Sequence, residues 1–161
     1  MTPALLAHLE RTYFAEYAEL RGQLLDTLTD ADLAFRPGGR NPTLGELCLE
    51  IGEVEHAYVE SFLTFRQDFH WRNPDRSLAA SVEGLRAWYA ELDTRLDAAL
   101  EALTAADVAG RRIDRGGEFL VDVTQQLDIY REALLIFCGK AAVYLRAMNR
   151  ALPGRLAEWI D

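Results

Sequence analysis

Apolar side chains recur at alternating steps of three and four through four long stretches of this chain, the period of an α-helix with one buried face. In the first, Leu6, Leu9, Tyr13, Tyr17, Leu20, Leu24 and Leu28 follow Thr2 and Pro3, which suit an N-cap and first helical position. The second carries Leu44, Leu47, Ile51, Val54, Tyr58, Phe62, Phe65 and Phe69, predicted to face inward behind a capping box of Thr43 and Glu46. Val82, Leu85, Tyr89, Leu92, Leu96, Leu100 and Leu103 mark the third, with Ser77 or Ser81 as its cap. The fourth runs from Leu127 to Met148, and between Ala133 and Leu145 its only charged side chain is Lys140. So apolar a segment is expected inside the molecule, touching several partner helices.

Four long helices with one apolar stripe each bury those stripes together as an all-α four-helix bundle. Leu152-Pro153 stops the last helix, and Arg155 to Ile160, with Trp159, predicts a short C-terminal helical tail that packs back on the bundle. Residues 1–161 read as one domain. Arg36-Pro37-Gly38-Gly39-Arg40-Asn41-Pro42 is a loop dense in breakers, and the polar stretch from Gly110 to Glu118 reads as a loop or small hairpin. The long connections do not impose simple up-down order. Leu28-Thr29-Asp30-Ala31-Asp32-Leu33 is echoed by Leu103-Thr104-Ala105-Ala106-Asp107-Val108, which suggests that the first and third helices finish in similar surroundings.

Charge narrows the partners. Twenty-six acidic against 17 basic residues leave a formal charge of -9, and no Lys/Arg stripe tracks phosphates, so nucleic acid and anionic membrane are excluded as expected partners. The opening MTPALLAHLERTYF meets Glu10 and Arg11 before any long apolar run, so neither a signal peptide nor a span is expected, and a cytoplasmic location follows. Cys48 and Cys138 lie in apolar helical patterns without metal-ligand spacing; they read as reduced core thiols, with a functional thiol pair across two helices as the alternative.

Histidine is scarce: His8, His56 and His70 share no helical face at i and i+4, which disfavours a three-histidine zinc site. Glu53-x-x-His56 occurs once, whereas a carboxylate-bridged di-iron bundle needs that spacing on two helices, so Glu46, Glu53, His56 and Glu60 read as a solvated acidic face. Glu55 falls within the arc of Leu44, Tyr58 and Phe62, and Lys140 interrupts the most apolar stretch. A buried charge needs a partner or a wet pocket. The two are expected either to pair with each other, with Lys140 otherwise reaching the surface, or to line a ligand pocket between the second and fourth helices.

The helix layout, Thr43-Leu44-Gly45-Glu46-Leu47 leading to Ile51-Gly52-Glu53-Val54-Glu55, and Gly139 followed by Tyr144-Leu145-Arg146 resemble the DinB-like superfamily, over nearly the whole chain. The resemblance implies a four-helix bundle of the DinB-like type, often homodimeric, in a superfamily that includes damage-inducible proteins and thiol S-transferases and in which many members hold a divalent metal through three histidines. In this chain the three ligand positions fall at Glu50, Ala133 and Phe137, and the Arg-Gly-Gln that follows in such members becomes Cys138-Gly139-Lys140. No metal and no other cofactor is therefore expected. Glu50, Glu55, Phe137 and Lys140 are the candidate pocket residues. The leading reading is a metal-free, cytoplasmic, homodimeric bundle that binds a small molecule or serves a stress response. The alternative is an enzyme, a thiol-dependent S-transferase or small hydrolase using Glu50 or His56; a third reading has exposed aromatics such as Trp71 and Trp159 meeting another protein.

Overall fold

The structure is a computed structural model that describes residues 3–160, with side chains described from Phe14 to Trp159. Four long helices, α1 (Pro3–Asp26), α3 (Leu44–Thr64), α4 (Val82–Glu101) and α6 (Val123–Ala147), make the bundle. Short elements join them: α2 (Asp30–Leu33), a 3₁₀ turn (Arg76–Ala80), α5 (Ala105–Gly110), strands β1 (Arg112–Asp114) and β2 (Leu120–Asp122), and α7 (Gly154–Ile160). The expected all-α bundle with a helical tail is the observed architecture, with one two-stranded hairpin where the sequence left a loop or hairpin open.

Pairings between side chains give the helix order. Arg21 reaches Asp93 and Arg86 reaches Asp26, so α1 and α4 run antiparallel. The Tyr89 hydroxyl donates to the Cys48 carbonyl and Arg95 reaches Glu60, so α3 and α4 run parallel. Gln126 donates to Ser61 and Tyr130 lies on Tyr58, making α3 and α6 antiparallel. The order is therefore up, down, down, up, and α1 faces α3 across a diagonal. A parallel α3–α4 pair needs a connection that returns the length of the bundle, which residues 65–81 supply.

Local chemistry sets the boundaries. Thr43 and Glu46 form the predicted capping box on α3. Ser81, not Ser77, caps α4 by accepting from the Gly84 N–H, while Ser77 lies in the 3₁₀ turn held by Asp75. The sequence echo is real at this level: Thr29/Asp32 and Thr104/Asp107 are matching capping boxes that open α2 and α5. They stand at opposite ends of the bundle, because α1 and α4 are antiparallel. Shared chemistry made the local turn alike without making its surroundings alike.

Two expectations about helix faces are corrected. α3 stops at Thr64 because Phe65 turns left-handed (φ 59°), and residues 65–67 pair alongside β1 through Asp114. Phe65 remains buried, but Phe69 lies beyond the helix and is exposed. The α6 middle is not enclosed either. Leu134, Phe137, Ala141 and Leu145 are buried, yet Ile136 and Val143 on its outer face are 59% and 55% exposed, since a helix in a four-membered ring has only two neighbours. The tail packs as expected, Leu156 fully buried and Trp159 edge-on to Tyr17 with ring centroids 5.8 Å apart.

Candidate functional site

α3 and α6 meet along a shallow hollow of about 160 Å³ lined by Leu47, Glu50, Ile51, Val54, Ala133, Ile136, Phe137 and Lys140. On α3, Leu47, Ile51 and Val54 recur at helical spacing and Glu50 stands at the edge of that arc; on α6, Ala133, Phe137 and Lys140 do the same. The floor is apolar, closed by buried Phe137 and Ile51, while Glu50 and Lys140 are exposed at the rim. Three of the four residues expected to share a pocket, Glu50, Phe137 and Lys140, do so. Ala133, small and half-buried, leaves the space that makes the hollow.

Glu55 is not among them. Five residues past Glu50, and so about 140° further round the helix, it points away from the hollow, where it is 0% exposed and ion-paired with Arg21 of α1, which is 2% exposed. Arg21 also donates to Asp93 of α4 at 2.6 Å and stacks on Tyr89, 4.4 Å from its ring centroid. The expected pairing of Glu55 with Lys140 is therefore corrected: the cation is Arg21. It lies on the line of Tyr17, Leu24 and Leu28, so its place in the first apolar stripe was a readable signal.

Two carboxylates share one guanidinium in this layer, and only Asp93 reaches solvent. Burial pushes the Glu55 carboxyl up to about 7; Arg21 pulls it down and Asp93 pushes it further up. Burial alone works against the Arg21 charge, but Glu55 and Asp93 together hold its pKa above the ordinary value. Tyr130 and Tyr89, packed around the layer, are raised well above their usual range chiefly by burial. Glu55 Oε1 and Arg21 Nε are buried without a hydrogen-bond partner. This layer ties three helices together.

The acidic face expected from Glu46, Glu53, His56 and Glu60 is also corrected. Only Glu46 is a solvated side chain; Glu53 is buried, receiving the Asn73 N–H at 3.0 Å and paired with Arg76 and Arg72. His56 is half-buried, stacked on Trp71 with centroids 3.7 Å apart, and its neighbour Glu60 pairs with Arg95. Burial, then the Arg95 charge, pulls the His56 pKa below its usual value, with Glu60 opposing. The connection between α3 and α4 folds back over this face, which helical periodicity does not report. His70 is exposed, and the side chain of His8 lies outside the described residues.

A sequence-family model described as the DinB superfamily matches residues 15–132. The chain belongs to the DinB superfamily. A search of curated proteins finds no match to it. The matched region ends one residue before Ala133, so the DinB signal runs from the second half of α1 to the first turns of α6 and stops short of the α6 wall of the α3–α6 hollow.

The three-histidine metal implied for DinB-like bundles does not fit the residues present. At the three positions, Glu50 offers one carboxylate, and the methyl of Ala133 and ring of Phe137 offer no donor; Lys140 adds a positive charge at the same rim. Among the described residues, no three His, Cys, Asp or Glu side chains converge to hold a metal ion. Cys48 and Cys138 are free and buried, and burial lifts their thiols to about 12 and about 11, far from a nucleophilic thiolate. No helix among the described residues is long and apolar enough to cross a membrane.

Proposed function

We propose that this DinB-superfamily bundle is a metal-free small-molecule-binding protein, of a stress-associated kind and cytoplasmic, whose ligand enters the α3–α6 hollow. The observation that carries this reading is the open-mouthed, mainly apolar hollow lined by Glu50, Ala133 and Phe137, the positions at which the resemblance would place metal ligands. A hollow of about 160 Å³ accepts a body of roughly one aromatic ring. The rim charges of Glu50 and Lys140 suit a small polar group on that body. Affinity comes from burying the ring on Phe137, Ile51 and Val54, and orientation from the rim.

Two measurements test it. Untagged protein incubated with zinc, nickel and manganese, then desalted, is expected to retain less than about a tenth of an equivalent of each. Benzyl alcohol, titrated by ligand-observed NMR, is expected to bind the wild type and to lose binding in Ala133→Phe, which fills the hollow. One equivalent of metal, lost in Glu50→Ala, refutes the metal-free reading and moves the protein to the enzyme class. In that enzyme Glu50 would act without His56, which lies on another face of α3. The reading also includes a homodimer through the outer face of α6, where Ile136 and Val143 are exposed one heptad apart. A sedimentation mass of one chain removes that part.

A further inference from the structure

A second concavity, of about 900 Å³, opens where α3 ends, walled by His56, Glu60 and Thr64 of α3, by residues 66–71 and by Arg115 at the hairpin turn. Its floor is tied down. The Gln67 N–H donates to the Asp114 carbonyl at 2.8 Å, and Gln126 Nε2 donates to Ser61 Oγ at 2.8 Å and Gln67 Oε1 at 2.7 Å. Arg115 Nη1 donates to Gln67 Oε1 at 2.6 Å and Gln126 Oε1 at 2.5 Å.

Those amides fix the Arg115 side chain but leave its charge uncompensated. Among the described residues no carboxylate lies within ion-pair distance of it, and its guanidinium instead sits 5.5–5.6 Å from the ring centroids of Tyr58, Phe69 and Phe119. Half-buried cations in folded proteins usually have an anionic partner. Arg66 lines the same cleft, and of the two carboxylates there Glu60 is paired with Arg95, while Asp68 accepts the His70 N–H at 2.7 Å. A chain of formal charge -9 thus carries, in this concavity, a preorganised guanidinium waiting for an acceptor. Phe69 stands beside it, and the Trp71 ring lines the same cleft, stiffened by its stack on His56.

We infer that this cleft binds a small anion bearing a planar ring, an aromatic carboxylate or aryl phosphate, with the anion on Arg115 and Arg66 and the ring against Phe69 and Trp71. This site is separate from the α3–α6 hollow and does not depend on it. The test follows the Trp71 indole and Arg115 Nε–H resonances, assigned by Trp71→Phe and Arg115→Gln, during titration with benzoate, phenyl phosphate, inorganic phosphate and benzylamine. Benzoate or phenyl phosphate is expected to saturate both resonances, less tightly at higher salt. Affinity should fall about ten-fold or more in Arg115→Gln and about three-fold in the exposed Arg66→Gln, which spares the amide network. No saturation by about 10 mM of either aryl anion, equal binding of benzylamine, or unchanged affinity in both Arg variants overturns the proposal. Inorganic phosphate binding as tightly as phenyl phosphate overturns the ring's part in it. Loss of benzoate binding in Ala133→Phe would move the anion to the α3–α6 hollow and overturn the assignment, whereas failure of benzyl alcohol to bind there leaves the cleft's result standing.

Discussion

Replacing Arg21 by Met keeps most of the volume of the side chain and deletes the cation that Glu55 and Asp93 share in the layer joining α1, α3 and α4. Glu55, fully buried, and Asp93, partly exposed, then face each other without a counter-charge. Stripping one partner from a buried ion pair costs about 3–5 kcal/mol, a large share of the stability of a domain this size. Proton uptake by Glu55 limits that cost. Burial has already raised its carboxyl from 4.5 to about 7 with Arg21 present, and removing the guanidinium takes away the charge that pulls it down. The native state holds this proton more tightly than the unfolded chain does. The stability that Glu55 contributes is therefore fully present below its unfolded value of 4.5 and is lost as the pH rises through about 7. Arg21→Met should accordingly lose roughly 3–5 kcal/mol at pH 8 and distinctly less at pH 5.5, by urea unfolding followed with far-UV circular dichroism at unchanged m-value. Arg21→Met with Glu55→Leu should recover most of the loss, because a buried charge without its partner is costlier than none. A single variant within about 1 kcal/mol of wild type at pH 8, or a double variant no better than the single, refutes the reasoning.

Two further predictions concern glycines and thiols. A Cβ on Gly45 would collide with the Ala79 carbonyl of the 3₁₀ turn, whereas one on Gly139 in α6 meets nothing within 4 Å. Gly45→Ala should destabilise by roughly 3 kcal/mol or more, and Gly139→Ala should stabilise by up to about 1 kcal/mol, in the same unfolding assay. Cys48 and Cys138 should be inert to an aromatic disulfide reagent in the native protein at pH 8, since both are buried with thiols raised by burial, and should react together when urea unfolds the chain. Fast native labelling of either would revive the functional-thiol reading.

What the sequence determined by itself is local and periodic. Apolar steps of three and four located four helices to within a turn or so, except where Phe65 ends α3 early, and the Thr43, Thr29 and Thr104 caps were readable from side chains three residues apart. Glu55 was legible as buried because its wheel position needs only the helix it sits on. Its partner was not, since choosing between Arg21 and Lys140 requires knowing which helix lies against which face of α3. Tertiary structure decided that, by placing α4 parallel to α3 and α1 diagonally across. The same long connection that permits this order folds over Glu53 and His56, turning an apparently solvated face into a buried ion pair and the wall of a cleft. Glu50, Ala133, Phe137 and Lys140 were brought together by the resemblance to the DinB-like superfamily, which aligns them with one site, and not by the apolar stripes, which do not say which helix lies against which. Arg115 could not be placed from the sequence, since its place depends on a hairpin turn meeting the end of a helix some fifty residues earlier in the chain, a non-local contact that no single period encodes.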